Sequence, residues 1–379
     1  MKDIEYYKGR EQTYLKHFFL EKYLETLAYH IGFSQKEFVY VDCFSGPWRQ
    51  GDVELGDTSI RIALDRLNAV RSGLGQKGKH PKIRAIFIEK KQQSFHDLKN
   101  ALQEHRGDVE ALALQGSFEE NIARIADEAG GAFTFLFVDP TGWTGFTMET
   151  IGPILRAMRG EVMINFMFDF INRFRKWPSP ANQKSLDLLF GTVEWRKMSD
   201  RPDPEIALVE LYGQQVRKAG NFNYVTSTRI LKPLQDRSYF YLIYATRSAT
   251  GIEKFREVER KALSKQDEAR EKAQRDHRVE RTGQTALDFG FDAPMKPGII
   301  QDQRHFEVQK AQARVEEILR TGPIAFENLM GQVLQIPLVW KNDLTKILVE
   351  GHRSGRLRIE GLGPRERTPK PTSTIRWLA

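Results

Sequence analysis

The sequence predicts an α/β protein: a doubly wound, mostly parallel sheet with a helical insertion, followed by a small C-terminal domain of helices and a hairpin. Three observations predict it. Five short apolar runs, FVYVD (38–42), KIRAIFIE (82–89), VEALALQ (109–115), FLFVD (135–139) and EVMINFMF (161–168), alternate with segments of helical period. Parallel strands need a return path of about that length, so the alternation reads as successive βα crossovers. Two further runs, YVTSTRIL and YFYLIYAT, are separated only by a loop holding Pro233 and Asp236, short enough for an antiparallel hairpin. From Phe306 onward the pattern is three short helices and two short strands.

At 379 residues the chain exceeds the size at which one core usually keeps growing, so more than one domain is expected. The boundaries read as a sheet domain over 1–260 with a helical insertion at 172–222, a charged helix and linker over 261–303, and a last domain over 304–379. A formal charge of +8 favours an anionic partner. Cys43 is the only cysteine, which excludes an intramolecular disulfide and any Cys-rich zinc site, and fits a reducing cytoplasm. The N-terminal stretch lacks the apolar core of a signal peptide and no apolar run is long enough to span a bilayer, so neither secretion nor a membrane partner is expected.

Between Arg10 and Ile31, Tyr14, Phe18, Leu20, Tyr23, Leu24, Leu27 and Ile31 mark an amphipathic helix that Gly32 is expected to end. Lys16 and His17 lie on it, either within reach of a site at the sheet's edge or as a solvated lysine and a surface or capping histidine. The first strand runs into Asp42 and a turn of Phe44, Ser45, Gly46 and Pro47, with a helix starting near Asp57. Gly46 permits a backbone path close to a ligand. Glu89 ends the second strand, placed to accept from two ribose hydroxyls, or else to pair with Lys90 or Lys91 or cap the next helix. After the third strand, Ser117 would read a base edge and Phe118 would wall its pocket, or begin the core face of a helix. The fourth strand ends in Asp139-Pro140, followed by Trp143. Asn165 and Asp169, after the fifth strand, would orient a substrate or cap helices.

These strand ends suit an adenosine-containing ligand, yet the chain lacks both the Gly-x-Gly-x-x-Gly cradle and the Gly-x-x-x-x-Gly-Lys-Ser/Thr loop. A cofactor without phosphates is therefore expected. S-adenosylmethionine offers a ribose to Glu89 and an ammonium to Asp42.

Beyond the sheet, Arg173, Arg175, Lys176 and Trp177 open the insertion with residues suited to nucleic-acid contact, or form a basic solvated helix end. The segment past Val258 is polar nearly all round and reads as a solvated bridge or as partly disordered. The linker residues Leu287, Phe289 and Phe291 would dock on a neighbouring surface. The terminal helices and hairpin follow the order of a winged helix, with Lys341, Asn342 and Lys346 on the third helix and Arg365, Arg367 and Lys370 in the wing loop.

YLKHFFLEKYL, YVDCFSGP, FIEK, FVDPTGW and NFMFDFINRF, in this order, resemble the three-Cys-motif partner (TcmP) family, which is similar to Rossmann-fold S-adenosylmethionine-dependent methyltransferases with a seven-stranded sheet. The resemblance covers roughly residues 10 to 260. It implies methyl transfer, S-adenosylmethionine as cofactor and, from the family's name, a protein partner of the three-Cys-motif type; the basic charge and the winged-helix order add a nucleic acid (RNA or DNA) as the expected partner. In the wider methyltransferase group Asp-Pro-Pro followed by an aromatic residue marks transfer to an exocyclic base nitrogen; here Asp139, Pro140 and Trp143 match it, with Thr141-Gly142 in place of the second proline. The expected activity is methylation of a nucleic acid, with a base amino group as a candidate acceptor. The alternatives are a non-catalytic partner or binding protein that keeps the fold, and a small-molecule or protein methyltransferase.

Overall fold

A computed structural model of the chain describes residues 3–46, 58–105, 107–140, 142–177, 179–282, 299–363 and 365–378. Pro47, Thr141 and the linker residues Leu287, Phe289 and Phe291 lie outside the described residues. Two compact units result, Met1–Thr246 and Arg247–Ala379.

In the first unit, β1 (Glu37–Asp42), β2 (Lys82–Glu89), β3 (Glu110–Gln115), β4 (Phe133–Val138), β5 (Gly160–Phe166), β6 (Tyr224–Leu231) and β7 (Ser238–Thr246) form one sheet. Its order is β3-β2-β1-β4-β5-β7-β6, and β7 runs antiparallel to both neighbours. This is the mixed seven-stranded sheet of methyltransferases. The connecting helices are α1 (Glu11–Ser34), α2 (Ser59–Gly75), α3 (Gln92–Glu104), α4 (Phe118–Ala129) and α5 (Met148–Ala157). The insertion after β5 holds α6 (Phe168–Arg175), α7 (Pro180–Phe190), α8 (Trp195–Ser199) and α9 (Pro204–Gly220).

Strand alternation divides the buried side chains of the sheet between its faces. Leu136 and Val138 of β4 join Ile151, Leu155, Leu208 and Val216 in a largely aliphatic core with α5 and α9. Phe135, on the opposite face, packs with Tyr23 of α1 and Tyr40 of β1. At the starting end of β5, Glu161 is buried and accepts from Tyr23 Oη (2.6 Å) and Thr246 Oγ1 (2.8 Å), so its lone pairs are met inside the core.

Gly32 does not end α1, which continues to Ser34. A Cβ at position 32 would stand 2.6 Å from Leu74 Cδ1, so the glycine lets α1 approach the end of α2. Ser117 caps α4 through a capping box: its Oγ accepts from Glu120 N–H (3.3 Å) and its own N–H donates to Glu120 Oε2 (2.7 Å). Ser117→Ala is expected to lower stability by about 1 kcal/mol, read in urea denaturation; an unchanged midpoint would remove the cap from the stabilising contacts of α4.

The second unit opens with α10 (Ala249–Thr282), followed by α11 (Ile299–Thr321), β8 (Ile324–Ala325), α12 (Phe326–Val333), α13 (Lys341–Arg353), β9 (Leu357–Glu360) and β10 (Thr374–Trp377). The three strands form an antiparallel sheet in the order β8-β10-β9. The expectation of a solvated or partly disordered segment past Val258 is corrected: α10 is one continuous helix, and Gln266 and Ala269 are buried along it. Several of its charged side chains pair along the helix, as Lys265 does with Glu268 and Lys272 with Asp276, while Arg256 reaches beyond it. Arg256 donates to the carbonyls of Leu334 (2.9 Å) and Ile336 (3.0 Å), just past the end of α12, and pairs with Glu259 at 2.5 Å. Those carbonyls otherwise lack helical partners, and a cation there also complements the helix dipole. No described helix is long and apolar enough to cross a membrane.

Candidate active site

β1 and β4 lie side by side where the strand order reverses, and each delivers a carboxylate: Asp42 ends β1 and Asp139 follows β4. Connections leave such a switch point in opposite directions, opening a crevice beyond the strand ends.

Asp42 is fully buried, with Oδ1 accepting from Phe44 N–H (3.2 Å) and Oδ2 from Ser59 Oγ (2.8 Å). Burial pushes its carboxyl up to about 7, against the Ser59 hydrogen bond, and Asp139 adds to the rise. Ser45 locks the following turn: its Oγ donates to Asp42 O (3.2 Å) and accepts from Ile88 N–H (3.0 Å). The chain then enters Gly46 at φ 58°, a left-handed conformation that favours glycine. Phe44 packs against Phe118 and Phe146. Cys43 is buried beside them, its thiol pushed up by that burial, so it is a core residue and not a nucleophile.

Glu89 is buried at the end of β2, where Oε1 accepts from Lys91 N–H at 2.6 Å. That contact fixes the carboxylate at the entry to α3 without a lysine ion pair, leaving its remaining lone pairs for other donors. Ser117 and Phe118 sit at the β3 end as the cap and the first core residue of α4. The Ser117 hydroxyl is committed as an acceptor to the helix.

Asp139 is held on both oxygens. Oδ2 pairs with Lys16 Nζ at 2.6 Å, and Oδ1 accepts from Asn165 Nδ2 at 2.6 Å. Of the two readings for Lys16, the structure shows reach into the strand-end site, because α1 packs along the sheet. His17 takes neither course: it is buried, its Nδ1 stands 3.2 Å from Tyr7 Oη, and burial, with Lys16 adding, pushes its pKa down to about 3. Asn165 Oδ1 is buried with no hydrogen-bond partner, and so is the Tyr40 hydroxyl of β1. Trp143 stacks on Phe174 of α6, with centroids 5.1 Å apart and planes at 22°. Asp169 is spent on Lys232 (3.0 Å), Arg237 (3.4 Å) and Arg173 (3.7 Å), a cation cluster that ties α6 to the β6–β7 hairpin.

Among the described residues of the first unit, Asp42, Ser45, Gly46, Glu89, Ser117 and Asp139 therefore lie at strand ends, with Lys16 and Asn165 in direct contact with Asp139. Asn165 was legible as a polar residue in an apolar run; it lies within β5, next to its last residue, and not after the strand. For Lys16 and Tyr40 the sequence offered only their positions. Among the described residues, no cluster of His, Cys, Asp and Glu has the makings of a metal site.

In the second unit, Lys341 pairs with Glu253 of α10 at 2.8 Å, while Lys346 is exposed and only 4.0 Å from Glu350. Asn342, Arg365 and Arg367 are exposed.

No protein-family model matches the chain. No curated protein is similar enough in sequence to match it. Among solved structures, the chain is similar to cofactor-bound Rv0187 from MTB, at 13% identity and a TM-score of 0.30, over 60% of this chain and 79% of that one. It is also similar to loganic acid methyltransferase with SAH, at 10% identity and a TM-score of 0.30, over 73% of this chain and 90% of that one. Likenesses of this size carry no weight for the chemistry.

Proposed function

We propose that the first unit is an S-adenosylmethionine-dependent methyltransferase acting on a nucleic acid, and that the second is a winged-helix domain that grips the substrate. The observation that carries this is the placement of Asp42, Glu89 and Asp139 at adjoining strand ends around the switch point of a seven-stranded methyltransferase-order sheet. The residues present suit the cofactor. A buried carboxyl held near neutrality gains from an adjacent cation, which matches Asp42 to the ammonium group. Glu89, anchored through one oxygen, retains acceptor capacity for ribose hydroxyls. Gly46 and Pro47 would admit the ligand closely, Ser45 would hold the turn, and Phe44 and Phe118 with Ser117 would bound the adenine side. When bound, the cofactor supplies an electrophilic methyl group.

On the acceptor side, Asp139 and Pro140 would hold an amino group, and Trp143 would stack on a base. Lys16 and Asn165 use one lone pair on each Asp139 oxygen, so each retains one for an incoming N–H. Phe174 covers one face of Trp143, so a base would meet the other. Helix, short strand, two helices and a hairpin is the element order that supports the winged-helix reading, and the TcmP resemblance supports the methyltransferase one.

Calorimetry with S-adenosylmethionine tests the cofactor half: wild type is expected to bind, and Glu89→Ala at least about tenfold more weakly, the loss of one charged hydrogen-bond acceptor. Equal binding by the two proteins would remove Glu89 from the site. Labelled methyl transfer to RNA or DNA tests the rest, and it should vanish in Asp139→Ala while folding persists.

A second reading is favoured by the engagement of both Asp139 oxygens within the fold, by Lys16 and Asn165: a partner protein that keeps the fold and transfers nothing. Cofactor binding without transfer to any nucleic acid pool would select it, as would loss of assembly with a three-Cys-motif protein when residues 306–379 are deleted.

A further inference from the structure

We infer that the outward face of the β9–β10 hairpin, through Arg356, Arg358 and Arg376, is the surface on which the second unit receives a nucleic-acid phosphate backbone. This deepens the nucleic-acid half of the proposed function and shifts the grip away from α13.

The charge of the chain is concentrated here. Residues 352–378 carry seven Lys and Arg against two Glu, an excess of five where the whole chain has an excess of eight. Both carboxylates are already spent: Glu360 accepts from Arg376 Nε at 3.1 Å, and Glu366 pairs with Lys370 at 2.6 Å. Among the described residues, no carboxylate pairs with Arg353, Arg356, Arg358, Arg365 or Arg367.

Register places these cations. Leu357, Ile359 and Ile375 point into the core of the unit, so the alternate residues of the same strands face out. Arg358 lies directly opposite Arg376 in the ladder, and both are exposed. Like charges facing across a strand pair are destabilising. Arg356 continues the row on the β9 side, its carbonyl accepting from Leu378 N–H at 3.0 Å and its Nε donating to Ser354 Oγ at 3.1 Å. Arg356 and Arg358, with which no carboxylate pairs among the described residues, and Arg376, which gives its Nε to Glu360, present a row of guanidinium groups complementary to a phosphate backbone, whose oxygens accept their forked donors. The third helix offers less. Lys341 is committed to Glu253, which leaves Lys346 and, in its last turn, Arg353 as its exposed cations.

The experiment is fluorescence anisotropy of the full chain with a short labelled RNA and a short labelled DNA duplex over a range of salt concentrations. Arg356→Ser/Arg358→Thr/Arg376→Thr is compared with wild type and with Asn342→Ala/Lys346→Ala. The arginine variant is expected to lose at least about tenfold in affinity and to flatten the slope of log K against log salt by roughly two. Its melting temperature should stay close to that of wild type, because the loss of the opposed like charges offsets the loss of the exposed Arg376–Glu360 pair. Wild-type affinity and slope in the arginine variant would overturn the inference, as would a loss confined to the α13 variant. Binding of polyglutamate but of neither nucleic acid would overturn it too, in favour of an acidic protein partner. S-adenosylmethionine affinity, measured on the same samples, should match in all three proteins. If wild type binds nucleic acid through these arginines but no cofactor, the strand-end reading fails and the surface stands.

Discussion

Asp42→Asn is expected to raise the melting temperature of the protein at pH 8 and to leave it nearly unchanged near pH 4. Burial holds the Asp42 carboxyl at about 7 in the folded chain, against an ordinary value of 3.8. A folded pKa above the unfolded one means that the native state keeps the proton more tightly. The contribution of this group to stability is therefore full below pH 3.8, falls as pH rises toward 7, and stays low above. A separation of about three units corresponds to roughly 4 kcal/mol, and the asparagine forgoes one acceptor, worth about 1 kcal/mol. The net gain at pH 8 is roughly 3 kcal/mol, or several degrees in a unit of this size. The same substitution removes the anion that would face the cofactor's ammonium, so S-adenosylmethionine affinity should fall while stability rises. Wild-type affinity should strengthen as pH passes through 7, where Asp42 ionises. A melting curve that shows no pH-dependent difference between the two proteins would sink the assignment of a neutral Asp42.

The sheet was legible because its evidence is local. Five apolar runs separated by helical periods admit few topologies, and a loop as short as the one around Pro233 forces β6 and β7 to be antiparallel. The strand-end carboxylates were legible for the same reason, since an acid after a buried strand is visible in the sequence. α10 shows what local reading misses. Its hydrophobicity falls past Val258, yet Ala262, Leu263, Gln266 and Ala269 are buried beyond that point, and just before it Arg256 is buried because its guanidinium meets carbonyls 78 and 80 positions away. No periodicity records such a partner. Gly32 read as a stop because glycine weakens helices, but here the absent side chain is what lets Leu74 pack.

Lys16 is the same kind of case at the site itself. In sequence it is one lysine on an amphipathic helix, and most such lysines are solvated. Its partner Asp139 is 123 positions away and comes within 2.6 Å only because α1 lies along the strand ends. The motif that singles out Asp139 describes one strand and its turn, and so does not record the lysine that pairs with it. Ser117 follows β3 as the sequence places it, and its hydroxyl accepts from Glu120 N–H at the start of α4, a local role that position alone does not announce.

Lys16→Met should therefore do more than remove a surface charge. The pair is mostly shielded, with 19% and 13% of the two side chains exposed, and the charge of Asp139 acts on the buried Asp42 nearby, disfavouring its ionisation. Without the ammonium, Asp139 keeps only the Asn165 hydrogen bond against that repulsion. Breaking a fully buried pair costs about 3–5 kcal/mol, and the remaining exposure reduces this to roughly 2. Asp139→Asn in the Lys16→Met background should restore most of the loss, because the carboxylate left without its cation is gone. A double-mutant cycle by urea denaturation should give a coupling of about 1–3 kcal/mol. Lys16 is also one of the groups that hold the Asp42 pKa down. Lys16→Met should thus push the Asp42 transition to higher pH, moving the window in which Asp42→Asn is stabilising. Additive single substitutions, with that window unmoved, would mean that solvent screens the pair and that the three charges at the switch point do not act as one unit.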